Sequence, residues 1–317
     1  MENARGWKGV VGAGGAARAD IYVADCAGIL SRSQLKARGA IIRVNGAIAK
    51  PSRPVKEGDS LEVAWTEEDS GAIEAEDLPL SILYQDKRVI VVDKAQGMVT
   101  HPGAGNRHGT LANAVAYIAL LAGPGARASS SRGGIVHRLD KDTSGVIVAA
   151  FDLEAQVFLA EQFKERQVRK EYLAITKGIP SPATGRIANR LGRDKRNRKR
   201  FAAVPDGGKA AVTDYRVLSA WGNAANKGVE QGDGYALVAL RPKTGRTHQL
   251  RVHMLGLGTP ILGDPIYGKK DGRFPAATLM LHAHKLKILL PGGEAPFLFS
   301  APVPSRFTEM IDELTRA

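Results

Sequence analysis

Residues 133–152, GGIVHRLDKDTSGVIVAAFD, hold the most chemically suggestive arrangement in the chain. The pair Ile135-Val136 reads as an entering strand, HRLDKDTSG as a polar bend, and VIVAA as a buried strand leaving it. Asp140 is thereby fixed on a short bend between apolar strands, beside Arg138 and Lys141. Neighbouring cations keep such a carboxylate ionised despite partial burial. An ionised Asp can act as nucleophile, general base or metal ligand. Taken alone, HRLD is equally a turn with an Asp cap and surface charges. Asp140 with Asp142 can also be read as the metal pair of a nuclease. However, no phosphate loop or zinc spacing accompanies them. His248 and His253 are five apart, off a shared helical face, and His282 with His284 is a plain strand pair. No metal and no cofactor are expected.

The charge points to a polyanion. Among 317 residues there are 45 Lys and Arg against 32 Asp and Glu, a formal net charge of +13. A solubilising surface is the bland explanation. Nucleic acid is the sharper one, because neutralised phosphates release counterions. No stretch reaches the ~18 uninterrupted apolar residues of a membrane span, so no membrane association is expected. The opening residues lack the apolar run of a secretory signal, and the one cysteine, Cys26, cannot pair within the chain. Both fit a cytoplasmic protein, expected to be a monomer.

Residues 1–15 read as a flexible tail. Residues 16–66 form a small α+β unit: a helix beginning near Ser31, a strand IIRV, an Asn45-Gly46 tight turn, a returning strand, the EGD turn at 57–59 and the strand SLEVAW. Residues 67–79 are acidic and read as a linker. From residue 80 to 317 strands and helices interleave. SILYQDKRVIVVDK gives two strands, GTLANAVAYIALLAG a helix closed by Gly123, and KEYLAIT, AAVTDYRVL and YALVALRP further strands. Leu153, Val157, Ala160 and Phe163 recur at helical spacing after Asp152, a predicted N-cap, and SRFTEMIDELTRA is a terminal helix.

HRLDKDTSG closely resembles the signature of the RluA-type pseudouridine synthases, which isomerise uridine in RNA to its carbon-linked form. VVDKAQGMVTHPGAGNRHGTLANAV resembles the segment preceding that signature, with Ala95 where the family commonly has Pro. RKEYLAIT supplies Tyr172, and LRPKTGRTHQLRVHMLGLGTPILGDPIYG places Arg251 at the family's active-site basic position. SRSQLKAR, IIRVNG and VKEGDSLEV resemble, in order, the S4 RNA-binding domain. Within the family this combination is most like the RluD type, which acts on 23S rRNA; RluC-type members, with other targets in that RNA, are the next nearest. The partner this implies is large-subunit rRNA or a ribosomal precursor particle.

The resemblance implies an α+β catalytic fold with a mixed, mainly antiparallel central sheet, preceded by the S4-like unit. It implies Asp140 as catalytic carboxylate, Arg251 as the guanidinium steadying it, and Tyr172 as a ring against uracil with a proton-moving hydroxyl. The base would be flipped out, with Arg138 filling the vacated stack and His137 beside it. The run 186–201 holds Arg186, Arg190, Arg193, Lys195, Arg196, Arg198, Lys199 and Arg200 against Asp194, and looks like a strand-connecting arm gripping phosphates. Arg246, Arg32 and Lys36 are further expected RNA contacts. A non-catalytic RNA-binding or ribosome-assembly protein of the same fold would be expected to lack Asp140, Tyr172 or Arg251, and this chain has all three.

Overall fold

The computed structural model describes residues 4–15, 17–30, 32–37, 39–66, 73–103, 105–123, 133–194, 196–197, 199–222 and 234–316. The chain divides into two compact units between Ala72 and Ile73.

The first unit contains β1 (Ala4–Val10), β2 (Ala17–Arg18), α1 (Ala19–Ile21, running into a π-turn over Tyr22–Cys26), α2 (Arg32–Ala37), β3 (Ile41–Val44), β4 (Ala47–Ala49), β5 (Pro54–Val55) and β6 (Ser60–Thr66). Four strands pair in the order β1-β6-β3-β4, and β2 pairs with β5. The β3–β4 hairpin turns on Asn45 and Gly46, with φ of 52° and 81°, the double positive-φ geometry that tight hairpins demand. Its core joins Val11, Val23, Leu35, Ile42, Val44, Leu61 and Val63.

The expected tail is corrected here: Ala4–Val10 is an edge strand antiparallel to β6, followed by the buried Val11. Its Gly-rich composition masked a strand whose role is to pair an edge that would otherwise be left open.

The second unit is built on β7 (Ser81–Gln85), β8 (Val89–Lys94), α3 (Leu111–Leu121), β9 (Ser144–Ala150), α4 (Leu153–Lys164), β10 (Arg169–Lys177), β11 (Thr184–Arg193), β12 (Phe201–Ala203), β13 (Lys209–Trp221), β14 (Tyr235–Pro242), α5 (Gln249–Gly256), β15 (Leu281–Ile288), β16 (Phe297–Ser300) and α6 (Ser305–Arg316). The strands form one sheet, β12-β11-β13-β14-β10-β15-β9-β8-β7, with β16 on β15. Among its named strands only β9 and β15 run parallel, so the sheet is mixed and mainly antiparallel. Every residue of β9 is buried, as an apolar central strand covered on both faces should be.

Residues 73–79, expected to be linker, belong to this unit. Asn113 Nδ2 donates to the Glu74 carbonyl at 2.7 Å, and the Glu76 amide donates to the Asn113 carbonyl at 3.1 Å, so the segment is tied to α3.

The helix expected after Asp152 forms as α4. Asp152 caps it as predicted, its carboxylate accepting from the Ala155 amide at 2.7 Å. However, the buried stripe is Ala155, Leu159 and Gln162, while Leu153 and Val157 face outward at 56% and 59% exposure. Both stripes have helical spacing, and only the position of the sheet decides between them. No helix among the described residues is long and apolar enough to cross a membrane.

Candidate active site

Asp140 lies on the bend between Gly134 and β9, with a 20% exposed side chain at the base of a cavity of about 480 Å³. Glycines hold both ends of the bend against the sheet. A Cβ at Gly134 would overlap the Ala150 carbonyl, and one at Gly145, where φ is 115°, would overlap that of Ala283. The segment after β8 fixes the bend from below. Thr100 Oγ1 donates to the Leu139 carbonyl at 2.7 Å, and Gln96 Nε2 to that of Asp142 at 3.0 Å. Buried Lys94 donates to the carbonyls of Ala95 (2.9 Å), Met98 (2.8 Å) and Lys141 (3.1 Å). The turn at Ala95 therefore closes without the proline. These clamps occupy both sides of Asp140, so its backbone is held before any substrate arrives.

Arg251, in the first turn of α5, donates from Nη1 to Asp140 Oδ2 at 3.2 Å. Its aim is set by a residue that the sequence reading did not single out. Asp264 accepts from Arg251 Nε and Nη2, both at 2.7 Å, in a bidentate fork. Asp264 also accepts from the amides of Ile266 and Tyr267 at 2.9 Å each. Burial pushes the Asp264 carboxyl up, but the guanidinium and the two amides outweigh it and hold it below the usual range. Burial likewise opposes the Arg251 charge, and the two carboxylates outweigh it. The pair is dry, at 4% and 0% side-chain exposure, and only Nη1 is left to face the cavity.

His248 approaches from the same side, its Nε2 3.9 Å from Asp140 Oδ2. Tyr267 Oη accepts from the Phe201 amide at 2.7 Å and lies 2.8 Å from His248 Nδ1. The Tyr267 hydroxyl thus holds the ring at its Nδ1 edge, and Nε2 is the nitrogen turned towards Asp140. Burial lowers the His248 pKa, so the ring is neutral at pH 7. This histidine, set aside as a metal ligand, sits in the left-handed region at φ 57° before α5. The strain is offset by Gln249, whose Oε1 accepts from the Arg246 amide at 3.0 Å and whose Nε2 donates to the Val212 carbonyl at 3.0 Å.

Tyr172, on β10 between β14 and β15, lines the same cavity. Burial first, and then the Asp140 charge, raise its pKa, so it stays a neutral phenol. Its hydroxyl has no hydrogen-bond partner among the described residues and is available to a ligand. The site thus offers an anionic oxygen held by a fixed cation, a flat ring and a free hydroxyl. Among the described residues no group of His, Cys, Asp and Glu forms a metal cluster.

Comparison with known proteins identifies the family. Residues 88–255 match the model of the RNA pseudouridylate synthase family. The chain belongs to that family. As an RNA pseudouridylate synthase it is an isomerase that makes pseudouridine in RNA. It is similar to a protein named ribosomal large subunit pseudouridine synthase D from Borreliella burgdorferi, 41% identical over 92% of this chain and 88% of the relative. A protein of the same name from Xanthomonas campestris is 38% identical over 94% of this chain and 88% of its own length. Among solved structures, human RNA pseudouridylate synthase domain containing 4 superposes with a TM-score of 0.57 at 30% identity. That match covers 74% of this chain and 93% of the human one.

The remaining expected synthase residues fall into distinct groups. Arg138 is exposed at the cavity rim. His137 is packed: its ring stacks on Phe163 at 4.4 Å, and its Nε2 accepts the Val148 amide at 3.1 Å. Burial pushes its pKa down to about 3, so it is a neutral strut. Arg246 lines the cavity and donates from Nε to the Ala210 carbonyl at 3.0 Å.

The basic arm is shorter than expected, because 186–193 lie within β11, where the side chains alternate. Arg186 is bound to Asp214 at 2.6 Å and Arg190 to the Gly208 carbonyl at 3.0 Å. Arg193 lies over the Phe201 ring and Arg200 over that of Tyr267, at 5.2 and 5.1 Å. Arg196 and Lys199 are exposed, while Lys195 and Arg198 lie outside the described residues. In the first unit Arg32 donates from Nε to Asp20 at 3.0 Å, and the Lys36 side chain lies outside the described residues.

Proposed function

We propose that this chain isomerises specific uridines of 23S rRNA, with Asp140 as the catalytic carboxylate. The observation that carries this reading is Arg251 Nη1 at 3.2 Å from Asp140 Oδ2, inside a cavity that Tyr172 also lines. The named activity of the large-subunit relatives supports the choice of RNA.

In this reading a target uridine is extruded from its stack, at a cost of about a few kcal/mol, because a stacked base cannot reach a recessed carboxylate. Arg138, exposed at the rim, fills the vacated stack. Asp140 acts on the base or on the ribose while the glycosidic bond breaks, and Arg251 holds its charge in place. Tyr172 packs on the detached uracil as it turns to present carbon 5. The new bond forms there, the hydrogen on carbon 5 leaves as a proton, and nitrogen 1 takes one up. Nothing else enters or leaves the site.

Arg196 and Lys199, with Arg193, Lys195, Arg198 and Arg200, grip phosphates. The first unit acts as an S4-like RNA-binding domain, supported by its helix, Asn-Gly hairpin and closing Gly-Asp turn. Its Arg32 is steadied by Asp20.

The test is incubation with a 23S transcript in the presence of EDTA, followed by mapping of pseudouridine and of strand breaks. Intact RNA carrying pseudouridine at defined positions is the expected result. Cleaved RNA, or activity lost to the chelator, contradicts it.

A further inference from the structure

The cavity wall holds cations that the chemistry above does not use, and one of them is set apart. Lys170 lies on β10 two residues before Tyr172, so both side chains emerge on the same face and both line the cavity. Other cations of this wall are already bound. Lys164 meets Glu161 at 2.9 Å, Lys243 meets Asp214 at 3.4 Å, and Arg251 meets Asp264 at 2.7 Å. Arg138 and Arg166 have no such partner among the described residues, but both are exposed and water solvates them.

Lys170 differs from both groups. It is half-buried, no carboxylate, carbonyl or hydroxyl among the described residues receives its ammonium, and burial alone pulls its pKa down to about 8. An ammonium withdrawn from water without a counterion is costly to fold around, and a ligand anion is what removes that cost. Gly245, on the turn after β14, marks the approach. A Cβ there would lie 3.8 Å from Lys170 Nζ and would meet no other heavy atom within 4 Å. Gly245 is not in the left-handed region, so the turn does not require a glycine. Its missing side chain leaves the ammonium open to the cleft.

We propose that Lys170 is the cleft's phosphate anchor: its ammonium takes a non-bridging oxygen of the RNA phosphodiester adjoining the extruded uridine, through the opening at Gly245. The inference rests on the proposed RNA substrate and names one contact that holds it. A charge-assisted bond to a phosphate offsets the desolvation of the ammonium, which a neutral uracil carbonyl does far less well. Lys170 is thus a binding residue and moves no atom of the reaction.

The experiment uses the full chain and a synthetic RNA hairpin carrying the uridine that the wild-type protein modifies. Each phosphate flanking that uridine is replaced in turn by a neutral methylphosphonate. In the wild type, one replacement is expected to raise KM about tenfold, the loss of one charge-assisted bond. Lys170→Met should raise KM by a similar factor, leave kcat within about threefold, and be indifferent to that same replacement. Lys170→Arg should restore KM towards the wild-type value.

If no single replacement affects the wild type, the anchor does not exist, whatever the fate of the Met variant. If the sensitive replacement costs Lys170→Met as much as it costs the wild type, the phosphate is held elsewhere. Inorganic phosphate serves as competitor. Inhibition that disappears in Lys170→Met, with no sensitive linkage in the RNA, would show a free-phosphate site and overturn the RNA assignment. A wild-type protein that makes no pseudouridine would instead overturn the function itself.

Discussion

Asp264→Asn is the perturbation that most directly separates aim from charge in this site. Asp264 Oδ1 accepts from Arg251 Nη2 and from the Ile266 and Tyr267 amides, while Oδ2 accepts from Arg251 Nε. An asparagine can keep its oxygen at the Oδ1 position. Its amide nitrogen then faces Arg251 Nε, donor against donor, and the charge is gone. With Arg251 at 4% and Asp264 at 0% side-chain exposure, water cannot repair the loss. Breaking one partner of such a buried pair costs about 3–5 kcal/mol of stability.

The catalytic effect is separate. Arg251, released from the fork, is no longer held with Nη1 on Asp140 Oδ2, so that bond is lost or misaimed. A charge-assisted bond worth about 1.5–3 kcal/mol corresponds to a fall in kcat of roughly 10- to 150-fold. The assay is single-turnover release of tritium from carbon 5 of uridine, at saturating protein and below the variant's melting temperature. RNA affinity should change little, because it is spread over many phosphate contacts. Asp264→Asn added to Arg251→Gln should cost no further activity. A destabilised Asp264→Asn with wild-type kcat would refute the reasoning, since Asp264 would then serve the fold and not the aim of Arg251.

Two other outcomes are expected. Changing Lys195, Arg196, Arg198 and Lys199 together to Gln should weaken RNA binding and flatten its salt dependence by up to about 0.7 per lost contact; an unchanged slope would show that the 194–200 segment does not touch phosphate. Acid should unfold the protein through its buried histidines. His253 and His282 are 1% and 0% exposed, and burial pushes both pKa values down to about 4. The unfolded chain takes up these protons as pH falls through about 6.5, whereas the folded one does so only near 4, so stability is full above 6.5 and declines below it. At pH 5 each histidine should have removed about 2 kcal/mol. Urea midpoints that do not move between pH 7 and 5 would contradict this.

The strands, the capped helices and the reactive bend were legible because their signals are local. Asn45-Gly46 can turn a hairpin by itself, Asp152 caps the helix that follows it, and the glycines around HRLDKDTS announce a close backbone approach. What stayed hidden depends on partners distant in sequence. Asp264 matters because it lies under Arg251, and a sequence shows LGDP as a turn. Lys94 reads as the polar end of a strand until the carbonyls of residues 95, 98 and 141 surround it. The outward face of α4, the edge strand β1 and the allegiance of residues 73–79 were likewise set by where a sheet or helix lay. His248 was weighed only as a metal ligand, because its left-handed backbone and its contact with Tyr267, which turn it towards Asp140, leave no local signal.

The central claim is that a charged oxygen at position 140 performs the isomerisation. Asp140→Asn keeps the side chain's shape and an oxygen for Arg251 Nη1, and removes only the negative charge. Single-turnover measurement of pseudouridine formation should give no detectable product from this variant, with RNA affinity within about tenfold of the wild type. Pseudouridine appearing at the wild-type rate would contradict the account.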